Sequence, residues 1–261
     1  MASTRSPSEL GPFFDELADW AEAASPVGAT LRYGEDPSQE LDLRLPAGAG
    51  PHPVALVLHG GFWRAPFTRR NTSAVCAALT RAGWASANVE YRRLGPGGYA
   101  ATLADVAAAR THLDTLDAPL DLRRTMAIGH SAGGHLALWL AATGGASSVV
   151  ALAGVCDLED AARAGLGQHA VQEFLGGEPS EAPEAYAAAD PARRLPLGVP
   201  QLLVHGTADD RVPFAHAERY AERARAAGDD CSLLALDGVD HFDVIDPRTE
   251  AWRAIGEVLR P

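Results

Sequence analysis

Gly129-His130-Ser131-Ala132-Gly133-Gly134 follows the short apolar segment Met126-Ala127-Ile128 and precedes the helix-like run Leu136-Ala137-Leu138-Trp139-Leu140. A serine in Gly-x-Ser-x-Gly, where a strand turns sharply into a helix, has the pattern of a nucleophile elbow. Small residues are required on both sides because the serine occupies a strained backbone conformation with no room for neighbouring side chains. The strain lifts the hydroxyl above the sheet, and the helix N-terminus behind it favours developing negative charge. Ser131 is therefore the candidate nucleophile, and a sheet with helices packed on it is the expected setting.

Outward from the elbow, apolar runs alternate with helical ones. Val54-Ala55-Leu56-Val57-Leu58 reads as a central parallel strand covered on both faces. Arg70 to Ala82 reads as a helix, Trp84 to Val89 as a strand, and about Thr102 to Leu116 as an alanine-rich helix. Val149 to Gly154, Leu202 to Val204 and Ser232 to Leu236 read as strands, with helices near His216 to Ala226 and Thr249 to Leu259. Leu41, Leu43 and Leu45 alternate with Asp42 and Arg44, as in a half-buried strand. This alternation predicts an α/β fold with a mostly parallel sheet and helices on both faces.

One domain over residues 1–261 fits the length, with two additions. Residues 1–30 read as a helical extension or adapter, because Leu10, Phe13, Phe14, Leu17 and Trp20 recur at helical spacing. Residues 157–200 are the least regular portion, with a helix predicted over Ala161 to Leu175 and a break at Gly176-Gly177-Glu178-Pro179. A segment this long between two strands reads either as a lid or substrate wall, or as a plain helical crossover.

Asp plus Glu number 34 against 22 Lys plus Arg, a formal net charge of −12. With no basic stripe of interleaved aromatics, that balance argues against a nucleic-acid partner. Cys76, Cys156 and Cys231 lack Cys-x-x-Cys spacing, which implies free thiols in a reducing compartment. The nine histidines show neither His-x-x-x-His nor His-Glu-x-x-His, so no metal and no other cofactor is expected. Met1 to Pro7 lacks a following apolar core of a signal peptide. No stretch approaches the roughly 18 apolar residues of a membrane span. The expectation is a soluble cytoplasmic protein without a membrane partner; the sequence carries no pattern that sets its oligomeric state.

A serine hydroxyl is a weak nucleophile at neutral pH, so Ser131 needs a base, and the base an orienting acid. On a fold of this plan they follow in the order acid, then histidine. Asp209 stands just after the apolar strand Leu202 to Gly206, where open α/β sheets place their sites. Asp209 is the expected orienter, with its neighbour Asp210 not excluded by pattern. His241 lies between the last strand and the final helix and is the expected base. His130 is expected to point away from the scissile bond, and His59 and His205 to brace their loops. His59-Gly60-Gly61-Phe62-Trp63-Arg64 directly follows the strand Val54 to Leu58. A glycine-rich loop there supplies backbone N–H groups to an oxyanion, and the amides of Gly61, Phe62 and Ala132 are the candidates.

Taken together, the ordered set His59-Gly60-Gly61, Ser131, Asp209 and His241 resembles the α/β-hydrolase superfamily from about residue 40 onward. The resemblance implies an eight-stranded, mostly parallel sheet with the triad on its C-terminal loops. His-Gly-Gly-Phe-Trp-Arg looks like the arylformamidase (kynurenine formamidase) branch and its carboxylesterase relatives. The hormone-sensitive-lipase-like branch usually has a third glycine where Phe62 stands. The implied activity is hydrolysis of a small arylformamide of the N-formylkynurenine kind, or of a small carboxylic ester. The alternatives are a general short-chain carboxylesterase and a small-substrate peptidase or amidase of the same fold. A non-enzymatic scaffold is disfavoured because all three triad residues are present. For the substrate wall, Phe62 and Trp63 offer aromatic stacking. Arg64 offers either a bidentate carboxylate contact or a structural ion pair, and Tyr91 either a place on the cleft or one in the core.

Overall fold

The structure, a computed structural model, describes residues 5–261. In chain order its elements are α1 (Pro7–Ala24), β1 (Ala29–Arg32), β2 (Glu40–Arg44), β3 (His52–Leu58), α2 (Ser73–Arg81), β4 (Ala85–Val89), α3 (Gly98–Leu113), β5 (Leu120–His130), α4 (Ala132–Ala142), β6 (Ser148–Leu152), α5 (Leu158–Arg163), α6 (Leu166–Leu175), α7 (Pro183–Ala189), β7 (Gln201–Gly206), α8 (Phe214–Ala226), β8 (Cys231–Leu236) and α9 (Glu250–Val258). The strands form one eight-stranded sheet in the order β1-β2-β4-β3-β5-β6-β7-β8. β2 runs antiparallel to β1 and to β4, and every pair from β4 to β8 is parallel.

Every residue of β3 is buried, as expected of a strand covered on both faces. The cover comes from two apolar cores. One lies under α1, α2 and α9 and includes Leu17, Val75 and Trp252. The other lies under α3, α4 and α8 and includes Val106, Leu138 and Tyr220. The two faces give the layered α/β architecture that the alternation of apolar runs predicts.

Register positions the site. Leu58 at the end of β3 pairs with Gly129 of β5, so the loop opening at His59 starts beside the elbow. Gly206 at the end of β7 pairs with Leu236 of β8, so the loops carrying Asp209 and His241 also start side by side. Parallel strands bring all four loops to the same sheet edge, where ligands of such sheets bind.

Several elements differ from expectation for local reasons. The helix expected over 70–82 begins as a 3-10 turn (Arg69–Thr72) and becomes α-helical only at Ser73. β5 starts six residues before Met126, because its first half, with exposed Arg123 and Arg124, lacks the apolar run that marks its second half. The helix expected over 161–175 is split in two. Gly165 adopts a left-handed conformation (φ 63°), and Gly167, Gln168 and His169 stay left-handed at φ 60°, 58° and 61°. Segment 157–200 nonetheless packs into the core through Leu158, Val171, Phe174 and Tyr186. α1 docks the same way on the other face, burying Phe13, Phe14 and Leu17. Cys76, Cys156 and Cys231 are free and buried. No helix of the described residues is long and apolar enough to cross a membrane.

Candidate active site

Between β5 and α4, Ser131 takes φ 55° and ψ −119°. A non-glycine residue there stores about 1–3 kcal/mol of strain and persists only where its surroundings over-determine it. Here the Ser131 N–H donates to the Leu152 carbonyl at 2.9 Å, and the Ser131 carbonyl accepts from Gly134 at 2.9 Å and Val155 at 3.1 Å. The flanking glycines follow from crowding of backbone on backbone. A Cβ on Gly129 would collide with the Gly133 carbonyl, and one on Gly133 with the carbonyl of Leu58. Because the helical ladder starts from the Ser131 carbonyl, the Ala132 N–H has no intrahelical acceptor.

The loop after β3 is shaped by a buried brace. The His59 ring has no exposure; its Nε2 lies 3.0 Å from a Glu90 carboxylate oxygen and its Nδ1 lies 2.8 Å from the Gly60 carbonyl. The ring stacks on Tyr91 with centroids 4.2 Å apart. Burial pushes the Glu90 carboxyl up, but His59, the Arg69 amide and Arg93 outweigh burial and hold it below its ordinary value. Since a trans peptide points its C=O and N–H in opposite directions, fixing the Gly60 carbonyl also fixes the Gly61 N–H. Gly61 has φ 115°, and a Cβ there would collide with the Phe67 ring. Among the described residues, the amides of Gly61, Phe62 and Ala132 have no backbone acceptor outside the regular elements.

Asp209 and His241 meet across the other two loops. The His241 Nδ1–H donates to Asp209 Oδ2 at 2.7 Å. The second Asp209 oxygen accepts the amides of Arg211 at 2.8 Å and Val212 at 2.9 Å. The His205 Nε2 stands 3.1 Å from Asp209 and 2.8 Å from the Val212 carbonyl, so it braces the acid loop as expected. Burial pushes the Asp209 carboxyl up, yet His241 and His205 outweigh it and hold the group well below the usual carboxylate range. Asp209 is fully buried whereas Asp210 is 38% exposed, which separates the two neighbours that pattern left open.

Ser131 and His241 line one cavity of about 400 Å³ with Gly60, Gly61 and Phe62. Leu10, Phe14, Phe67 and Phe242 make its apolar wall; Arg64, Gln168, Asp210 and Arg211 give a polar part of the lining. His130 also borders this cavity, with its ring directed to the backbone of His241. Its Nε2–H donates to the His241 carbonyl at 2.9 Å, and burial followed by His241 pushes its pKa down to about 3. A neutral donor thus holds the backbone of the candidate base.

Two expected wall residues lie behind the wall. Phe62 and Trp63 both adopt left-handed conformations (φ 51° and 56°), and Phe62 faces the cavity while Trp63 does not. Trp63 is 1% exposed, stacked on Phe174 with centroids 4.5 Å apart. Tyr91 is fully buried and donates its hydroxyl to the His59 carbonyl at 2.6 Å, so it supports the loop and takes no part in the lining. Arg64 lines the cavity, but its guanidinium pairs with Glu173 and donates to the Gly167 carbonyl at 2.9 Å. Trp63→Ala is accordingly expected to cost about 3–5 kcal/mol in urea unfolding, as truncating a buried aromatic does. Unchanged unfolding together with a raised KM would return Trp63 to the substrate wall.

The residues missed in the sequence are those whose partners are distant. Leu10 and Phe14 show helical spacing, but nothing local says that α1 reaches the cavity. His216, for which no role was expected, donates from Nδ1 to Asp160 at 2.7 Å and accepts the Cys156 amide at 2.9 Å, tying α8 to the chain after β6.

The BD-FAE family model matches residues 41–223. The esterase LipC of Mycobacterium tuberculosis (strain ATCC 25618 / H37Rv) is 29% identical, over 89% of this chain and 67% of its own length. Esterase 2 of Thermogutta terrifontis in its apo form superposes with a TM-score of 0.70 at 26% identity, covering 90% of this chain and 92% of that one. A truncated carbohydrate esterase from gut microbiota shares the fold with a TM-score of 0.76 at 20% identity, over 89% of this chain and 95% of that one.

Proposed function

The chain belongs to the BD-FAE family, in the carboxylesterase branch of the α/β-hydrolase superfamily, and from that premise we propose that it hydrolyses short carboxylic esters through Ser131, His241 and Asp209. It is a serine-dependent hydrolase of small esters. In the proposed reaction the Ser131 hydroxyl attacks the ester carbonyl while His241 Nε2 takes its proton, with Asp209 fixing the tautomer. The amides of Gly61, Phe62 and Ala132 receive the oxyanion. The imidazolium then returns the proton to the departing alcohol, leaving an acyl-serine that water cleaves by the same steps in reverse. The observation that carries this reading is the convergence of the elbow, the braced glycine loop and the Asp209–His241 pair at one sheet edge.

A short ester is favoured over the arylformamide that the resemblance of His-Gly-Gly-Phe-Trp-Arg implied. Of the two aromatics expected to stack an aryl group, only Phe62 lines the cavity. The relatives that cover most of the chain are named esterases. Three free cysteines support a reducing, cytoplasmic setting. Steady-state kinetics on p-nitrophenyl acetate and butyrate, run beside N-formylkynurenine, test the choice. kcat/KM is expected to be higher for the short esters by at least about a hundredfold. The reverse ratio would make the protein an arylformamidase.

A further inference from the structure

We propose that Arg5, ahead of α1, is a positioning residue that fastens the loop of His241 to the loop of Asp209. The proposal rests on the roles given above to those two residues. The Arg5 guanidinium forks across the histidine loop: Nη1 donates to Asp240 at 2.8 Å and Nη2 to Asp243 at 2.9 Å. These carboxylates bracket His241 in the chain. The other oxygen of Asp240 accepts the amides of Phe242 and Asp243, each at 2.8 Å, so the fork closes on a turn already folded around the base. From the opposite side, Arg211 Nη2 donates to the Arg5 carbonyl at 2.9 Å. Arg211 is also the residue whose amide binds Asp209. One residue, distant in sequence from both loops, thus touches the two whose separation sets the Asp209–His241 bond.

Neither loop has strand or long-helix structure of its own at these positions, so tertiary contacts fix where the imidazole stands. Misplacing a catalytic group by about 1 Å can cost on the order of a hundredfold in rate. The Arg5 side chain is 24% exposed against 6% for Asp240, and its guanidinium also lies 4.2 Å from the centroid of the Phe13 ring of α1. Loss of Arg5 therefore loosens both the clamp and the docking of α1, and the split between kcat and KM tells the two apart. The same residue precedes α1, whose Leu10 and Phe14 line the cavity. A mere anchor for α1 would act on substrate binding, and so on KM. A clamp on the base acts on kcat.

The test compares full-length Arg5→Ala, Arg5→Lys and Ser131→Ala with the wild type on p-nitrophenyl butyrate, with kcat of the wild type and the Arg5 variants normalised to sites titrated by an activated phosphonate and that of Ser131→Ala to folded protein. Arg5→Ala is expected to lower kcat about ten- to a hundredfold with KM within about twofold, and to slow phosphonylation in proportion. Arg5→Lys recovers only part of the rate, since an ammonium cannot reproduce the fork. Normalisation removes chains that fail to fold, and Arg5→Lys keeps the question answerable if the alanine variant does not express. Wild-type kcat in Arg5→Ala, or a raised KM at unchanged kcat, overturns the proposal. If Ser131→Ala still turns over, it is the underlying reading that falls; if Ser131→Ala is inert while Arg5→Ala matches the wild type, only the positioning role does.

Discussion

Ser131→Ala should lower kcat on a short ester by about a millionfold, the scale seen when the nucleophile of a serine hydrolase is removed. The strained turn at Ser131 is held in place by bonds to Leu152, Gly134 and Val155. Its consequence is a hydroxyl facing the cavity that His241 also lines. Removing that oxygen leaves the amides and the pocket in place. Residual hydrolysis over the uncatalysed rate then comes from oxyanion stabilisation and binding alone. An activated phosphonate followed by intact mass should add one label to the wild type and none to the variant. The buried thiols do not compete for label: burial pushes Cys76 up to about 12, so it remains a protonated, inaccessible thiol. A labelled Ser131→Ala chain, or one with turnover within tenfold of the wild type, would move the chemistry to another residue.

The elbow was legible because its requirement is local. Gly129 and Gly133 are dictated by backbone carbonyls a few residues away or on the adjoining strand, so the spacing itself carries the geometry. Asp209 and His241 were legible for a topological reason: parallel strands end at one edge, and each residue follows an apolar run. Directions of side chains were a different matter. Trp63 and Phe62 are adjacent aromatics, and which one meets the cavity depends on two consecutive left-handed residues that no residue type there demands. The two readings left open for Tyr91 and the partner of His130 needed the fold for a similar reason, since a hydroxyl reaching the His59 carbonyl and an imidazole reaching the His241 carbonyl are settled only in three dimensions. Leu10, Phe14 and Arg5 lie at the opposite end of the chain from His241, beyond any local pattern. The substrate was read from a motif half of which the fold buries, which is why the ester reading now stands ahead of the formamide.

Asp209→Asn is expected to lower kcat about ten-thousandfold while leaving the fold intact, the effect of a misplaced proton rather than of a lost contact. The geometry shows why the near-isosteric change is not neutral. One Asp209 oxygen accepts the amides of Arg211 and Val212, and the other accepts the His241 Nδ1–H. An asparagine keeps its single carbonyl oxygen on the two backbone donors, which turns its NH2 toward His241. Two donors cannot share that position, so the imidazole must carry its proton on Nε2 and present Nδ1 as the acceptor. His241 Nε2 then has no lone pair to take the serine proton, and the proposed acyl-transfer step loses its base. The phosphonate reaction, which needs the same base, should slow alongside ester turnover, whereas unfolding in urea should change far less. Asp210→Asn is the informative neighbour: its side chain is 38% exposed and paired with Arg211, so its loss should be much smaller. Equal losses at Asp209 and Asp210, or an Asp209→Asn enzyme within tenfold of the wild type, would remove Asp209 from the role of orienting acid.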